Sequence, residues 1–293
     1  MKILLFGKTG QLGWELNRSL VTLGELVAVD YPQVDLGSPE NIKGLVRDVC
    51  PDVIVNAAAY TAVDKAEGEQ ELTYSINAIA PGVLAEEAVR LKAVLIHYST
   101  DYVFDGEKGS AYLETDPPNP INVYGKSKLA GEGLIQETGG AFLIFRTSWV
   151  YSLRKESFVT KVLKLAHSQP VLRIVNDQVG SPTWCRMLAE ITGQVLAAGK
   201  ETGTHWFYKR RGLYHVTGSG STTRYEWARK ILEDDPKRNE QLAQGIVPAL
   251  TSDFPTPAKR PLSSALKCDR FIDTFGLMLP EWRDSLKLAM EIG

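Results

Sequence analysis

Cysteine and histidine are scarce here, with three and four residues respectively in a chain of 293. Cys50, Cys185 and Cys268 are odd in number and far apart. That excludes a disulfide framework and points to free thiols in a reducing, cytoplasmic setting. His97, His167, His205 and His215 lack metal-ligand spacing. No apolar run approaches the roughly 18 residues that would cross a membrane. The apolar stretch Ile3-Leu-Leu-Phe6 is too short for the core of a cleaved leader. Neither sign of charge dominates: 33 basic residues against 35 acidic give a net charge of -2, which excludes a strongly basic nucleic-acid surface. Internal repeats and low-complexity tracts are also missing. What remains, with 44% hydrophobic residues, is long enough for one large domain or a main domain with a lobe.

The first half alternates short apolar runs with helical periodicity. Residues 2–6, 26–30, 52–56, 93–98 and 141–146 read as buried strands. Residues 11–23, 36–49, 70–91 and 122–138 read as helices, the second opened by Ser38-Pro39-Glu40. The alternation predicts an α/β fold of Rossmann type, a doubly wound parallel sheet. Residues 1–150 form the dinucleotide-binding domain. Residues 151–293 form mainly a smaller C-terminal substrate-binding lobe, interleaved with the sheet through strands near 171–175 and 212–216. Residues 157–168, 184–198 and 279–291 read as helices, and 253–261 as a proline-rich ordered loop.

The cofactor signal is Gly7-Lys-Thr-Gly10-Gln-Leu-Gly13, between the first strand and the first helix. Glycines there let the backbone approach a pyrophosphate, and the helix N-terminus favours its charge. Asp30 ends the second strand, where an acid bonds the adenosine ribose hydroxyls and disfavours a 2'-phosphate. That points to NADH, although Lys8 and Arg18 leave NADPH open. Asp35-Leu36 flanks either the adenine or only solvent. Asn56-Ala-Ala-Ala59 ends the third strand with residues small enough for close approach.

The catalytic signal is Tyr124-Gly-Lys-Ser-Lys128. Residues four apart share a helical face, and an ammonium beside a phenol favours the phenolate. Ser99-Thr100 lies at the C-terminal end of a buried strand, the edge where such sheets bind ligands. Together they describe hydride transfer at a sugar-like alcohol carbon: Tyr124 gives a proton to the ketone oxygen, a Thr100 or Ser99 hydroxyl holds it, and Lys128 tunes the phenol. Asn77 lies mid-helix, where it either orients Lys128 through water or kinks the helix.

These residues resemble the extended short-chain dehydrogenase/reductase superfamily, and more closely its dTDP-4-dehydrorhamnose reductases. The resemblance runs through FGKTGQLG (6–13), PDVIVNAAAYTAVDKAE (51–67), HYSTDYVFDG (97–106), NVYGKSKLAGE (122–132), FRTSWVY (145–151), NDQVGSPT (176–183) and FPTPAKRPLSSAL (254–266). It implies an NAD(P)H-dependent reductase of a dTDP-sugar. Gly10, Gln11, Leu12, Asp30, Asp35, Leu36, Ala59, Tyr60, Thr61, Tyr98, Tyr124 and Lys128 match cofactor-contacting positions. Thr100, Asp101 and Trp149 match positions that touch the sugar or its carrier, Trp149 having a competing reading as core. Arg260 either grips the substrate diphosphate in a fork or is a solvated loop charge.

Family members often form homodimers, some bridged by Mg2+. Glu15 remains for such a bridge, but Arg186 stands where a second acid is expected, so the metal is in doubt. Residues 199–212 have no family counterpart and read as a solvated basic loop. Two other functions stay in view. One is a dehydratase or epimerase, although Asp101 is followed by Tyr102 rather than a second acid, and only Cys185 and His215 offer themselves as bases. The other is a non-catalytic, dinucleotide-binding regulatory subunit resembling the beta subunit of methionine adenosyltransferase.

Overall fold

The protein's structure is a computed structural model that describes residues Met1–Ile292. Five of the apolar runs form strands β1 (Lys2–Phe6), β2 (Glu25–Val29), β3 (Val53–Asn56), β4 (Val94–Thr100) and β5 (Ala141–Thr147). A sixth strand, Gly212–His215, pairs with β5. All pairings are parallel, and from the Gly212–His215 edge the order runs β5, β4, β3, β1, β2. β1 therefore has β2 on one side and β3 on the other. Chain order reverses there, which opens a crevice above the carboxyl ends of the strands.

Both faces of the sheet are covered. Ile3 and Leu5 of β1 enter one core, and Leu4 and Phe6 enter the other. This is why the strands read as continuous apolar runs rather than alternating ones. Helix α1 (Gln11–Ser19) buries Leu12 and Leu16, and α2 (Pro39–Val49) buries Ile42 and Val46. Two glycines are required between β1 and α1. Gly7 has φ +86°, and a Cβ on Gly13 would lie 1.9 Å from the Gly7 carbonyl oxygen.

The helix expected over 70–91 is interrupted. Gln70–Tyr74 and Ala80–Leu91 are α-helical, with a π-helical turn, Ser75–Ile79, between them. Asn77 explains the turn. Its Oδ1 accepts from Tyr60 N–H at 2.8 Å, and its Nδ2 donates to the Tyr60 carbonyl and the Ser127 hydroxyl. A side chain that bonds outward to a neighbouring segment favours such a bulge.

Two expectations for the second half need correction. Val171–Val175 does not join the central sheet; it pairs in parallel with Gly245–Ala249 as a separate ribbon. Its burial alternates, with Leu172 and Ile174 inward and Val171 and Arg173 outward, the pattern of a strand covered on one face. Residues 199–212 are not simply a solvated loop. They carry the helix Thr204–Lys209, which docks through buried Phe207, with Trp206 against Phe207 and Phe275. All three cysteines are free. Among the described residues no helix is long and apolar enough to cross a membrane.

Close packing at Gly13 yields a controlled test. Gly13→Ala is expected to cost about 1–3 kcal/mol, as overpacking does. Gly44→Ala, in α2 with nothing within 4 Å of the added carbon, is expected to hold or gain about 0.5 kcal/mol. Thermal melts of the two variants check both signs.

Candidate active site

A cleft of about 640 Å³ lies over the β1/β3 crevice. Gly7, Gly10, Gln11, Leu12 and Asp30 line one end, and Thr100, Asp101, Tyr124, Lys128 and Trp149 line the other. Ala59, Thr61 and Tyr98 lie between. Gly13 is buried behind the turn.

The end of the cleft that holds Tyr124 and Lys128 is built by the helix Val123–Glu137. Asn122 caps it, accepting from Gly125 N–H at 2.8 Å. A Cβ at Gly125 would lie 2.1 Å from the Tyr102 carbonyl oxygen, so glycine lets the helix press against the turn after β4. Tyr124, Lys128 and Glu132 then form one stripe facing the sheet. Lys128 is buried and donates from Nζ to the Tyr98 carbonyl at 2.7 Å. Burial pulls its pKa down to about 8, opposed by the charge of Glu132. Glu132 takes a bidentate pair from Arg146, at 2.9 and 2.6 Å, and a 2.5 Å bond from the Ser99 hydroxyl.

These bonds separate the two neighbouring hydroxyls. Ser99 is occupied by Glu132, whereas Thr100 donates to Asp101 at 3.2 Å and lines the cleft with Tyr124. Burial pushes the Tyr124 phenol far above its ordinary range; Thr100 pulls it down, and Asp101 and Tyr102 push it further up. Tyr124 therefore rests as a phenol, the form that its expected role as proton donor requires. Asp101 is buried and accepts from Ser148 at 2.9 Å, Ser264 at 2.5 Å and Thr100 at 3.2 Å.

At the other end, α1 begins at Gly10 with no side-chain cap. Its first-turn N–H groups are left for an anion. Gln11 Oε1 and Thr147 Oγ1 are buried in the cleft without hydrogen-bond partners. Free helix donors, orphaned polar atoms and a glycine floor fit a dinucleotide. Asp30 is already engaged: it accepts from Thr9 N–H and Oγ, at 3.0 and 2.6 Å, and from Tyr31 N–H. It holds the glycine turn as well as facing the cleft.

Several expected contacts lie outside the cleft lining. Asp35 closes a turn on Gly37 N–H, and Leu36 packs on the core. The Tyr60 hydroxyl donates to Glu69. Lys8 donates to the Ala28 carbonyl, and Arg18 lies on the Trp14 ring. Tyr98 contributes its backbone, because its hydroxyl shares a bond with Thr192 in the core. Arg260 is paired with Asp64 at 2.8 Å. Trp149 serves both readings. It lines the cleft with φ +44° and stacks on Trp227 at 5.5 Å.

The residues matched by the family described as RmlD substrate binding domain are 1–292. The dTDP-4-dehydrorhamnose reductase of Burkholderia thailandensis is 45% identical over 294 residues, covering 99% of this chain and 98% of that protein. The chain belongs to the dTDP-4-dehydrorhamnose reductase family. Among solved members, the Clostridium acetobutylicum protein superposes with a TM-score of 0.90 at 35% identity, covering 100% of this chain and 99% of that one. The Bacillus anthracis reductase, solved in complex with NADP, gives 0.89 at 31% identity, with the same coverage.

Within this family frame, the bases that an epimerase would need are misplaced. Cys185 is in the core, with burial pushing its thiol up to about 12. His215 is buried against the Tyr112 and Lys267 carbonyls, its pKa pulled by burial to about 3. Neither lines the cleft. A metal bridge also fits poorly. Glu15 shares a surface cavity of about 760 Å³ with Glu190, an acid the motifs did not bring out, but also with Arg18, Arg154 and Arg186. Three guanidiniums against two carboxylates do not cradle a dication.

One residue by the cleft wall has no signal in any motif. Arg224 opens the helix Arg224–Glu233, and its guanidinium lies 3.6 Å from the centre of the Trp149 ring. Burial lowers its pKa to about 10, while Tyr102 and Asp101 pull upward and Arg260 pushes down. Removing a buried ionic partner leaves the other charge exposed to the full desolvation penalty. Glu132→Gln is accordingly expected to cost about 3–5 kcal/mol by stranding Arg146, measured by chemical denaturation.

Proposed function

We propose that this chain reduces the C4 keto group of dTDP-4-dehydro-L-rhamnose to the alcohol of dTDP-L-rhamnose, with NADPH or NADH. The carrying observation is the convergence of Tyr124 and Thr100 in one cleft with the glycine turn, in a chain 45% identical to an enzyme of that name. A sugar-nucleotide substrate and a reduced nicotinamide suit a cytoplasmic reaction.

The bound nicotinamide supplies the hydride. The chain's own side chains manage the charge that follows. As negative charge grows on the ketone oxygen, Tyr124 gives it a proton and Thr100 donates a hydrogen bond to it. A phenol kept protonated by burial suits this direction, since a proton donor must rest in its acid form. Once the proton has left, Lys128, one helical turn away, stabilises the phenolate, and a further N–H is available to the nicotinamide ribose. Asp101 stays fixed by Ser148 and Ser264 when Thr100 turns its one proton from Asp101 to the ketone oxygen, and it offers its remaining lone pairs to sugar hydroxyls. Trp149 walls the sugar, with Arg224 over it. Arg224 and Arg260 feel each other's charge, and a diphosphate between them would relieve that repulsion. The intact proton-donor stripe speaks against a purely regulatory role.

Tyr124→Phe is expected to lower kcat by at least about 10²-fold, with NAD(P)H binding unchanged in a fluorescence titration; full turnover in that variant would remove Tyr124 as the donor. Removing the Asp30 charge is expected to raise the NADPH-to-NADH ratio of kcat/KM at least about tenfold, since a carboxylate near a 2'-phosphate repels it. An unchanged ratio in Asp30→Ala would mean that the carboxylate serves Thr9 alone.

A further inference from the structure

His97 is wholly buried in β4, one residue before Tyr98, and the hydride-transfer mechanism does not use it. Its ring joins two polar groups. Nε2 lies 3.1 Å from Lys128 Nζ, and Nδ1 lies 3.2 Å from Asn56 Nδ2 at the end of β3. Asn56 is oriented in turn, because its Oδ1 accepts from Ala58 N–H at 3.2 Å. Ala58 belongs to the turn Ala57–Ala59, which walls the cofactor end of the cleft.

Burial, reinforced by the Lys128 charge, holds the His97 ring well below the usual imidazole range, so the ring is neutral. A neutral imidazole has one N–H and one acceptor nitrogen. With Asn56 donating through Nδ2, the ring accepts at Nδ1 and carries its proton on Nε2. Nζ then receives that N–H with the lone pair of a neutral amine. With Lys128 as an ammonium, Nε2 must accept instead. The ring proton then sits on Nδ1, and Asn56 must present Oδ1 to it, giving up the Ala58 N–H. Between the two states the pair takes up one proton, and the ring stays neutral throughout.

We propose that His97 is a positioning residue: together with Asn56 it holds Lys128 Nζ beneath the Tyr98 carbonyl and links proton occupancy on that nitrogen to the hydrogen bonding of the Ala57–Ala59 turn. The other groups facing this nitrogen act from separate elements. Tyr124 and Glu132 flank Lys128 by one turn each on its own helix, and Arg146 of β5 and Ser99 of β4 hold Glu132. None of them touches the His97 ring, so the tautomer follows Lys128 at Nε2 and Asn56 at Nδ1. The inference rests on the reading of Lys128 as an active-site residue.

The test uses the unaltered full chain, labelled with 15N-histidine, which has four histidines to assign. His97 is expected to carry its proton on Nε2 above pH about 8 and on Nδ1 below it, with a midpoint matching the alkaline limb of kcat/KM. In His97→Gln the side-chain oxygen accepts from the ammonium without requiring Asn56 to turn. The limb is then expected to move up by about one pH unit, the scale of one hydrogen bond to a charged group. His97→Gln should also retain more kcat than His97→Leu, which offers Nζ nothing. A tautomer that stays fixed between about pH 6 and 10, or a His97→Gln limb superimposed on the unaltered one, overturns the proposal. The NMR measurement decides even where a variant fails to fold. A tautomer switch without sugar turnover faults only the functional reading; normal turnover with a fixed tautomer faults only this inference.

Discussion

A buried lysine nitrogen must be satisfied largely by the protein, and the candidate site is organised by how that is done for Lys128. Desolvating an ammonium costs far more than one hydrogen bond returns. The Tyr98 carbonyl, His97 and the charge of Glu132 supply the compensation together. Glu132 is itself buried and needs Arg146 and Ser99. Bringing these groups together requires the helix Val123–Glu137 to lie close against its neighbours, and glycine makes that possible at two points. A Cβ at Gly125 would strike the Tyr102 carbonyl oxygen, and one at Gly131 the Asn77 carbonyl oxygen at 2.2 Å. The same approach carries Tyr124 to Thr100. Tyr124 is thus positioned by the electrostatic needs of Lys128, one turn along the helix.

A second consequence concerns the cofactor end. Asn77 leaves α-helical geometry to bond Tyr60 and Ser127, tying the turn after β3 to the helix Val123–Glu137. Asn56 and Ala58 tie the same turn to His97. Asp30 secures the glycine turn through Thr9. Both walls of the dinucleotide cleft are therefore connected to groups one layer behind it. This gives a physical reason for polar residues at positions that simple packing would fill with apolar ones.

Much of this is legible in the amino-acid sequence. The strand–glycine turn–helix unit, the i, i+4 pair Tyr124 and Lys128, and Ser99-Thr100 at a strand end are local signals, and local signals survive because backbone geometry alone sets them. What the sequence leaves open depends on tertiary contact. Nothing in Ser99-Thr100 says which hydroxyl faces the cleft; Glu132, 33 residues on, decides it. Burial that holds the Tyr124 phenol above its ordinary range is a tertiary effect, which a spacing rule does not contain. Arg224 reaches Trp149 only through the fold. Val171–Val175 has the composition of a central strand, and only its alternating burial distinguishes a ribbon from a sheet member.

The central claim is that this cleft reduces a keto sugar already converted to its L form. The most direct measurement is NAD(P)H oxidation by the purified chain with dTDP-4-keto-6-deoxyglucose, run with and without the epimerase that inverts the sugar's C3 and C5 centres. The account predicts oxidation only when the epimerase is present. Oxidation without it would mean that a different deoxysugar is the substrate, and no oxidation in either case, despite measurable dinucleotide binding, would contradict the assignment of the cleft as a reductase site.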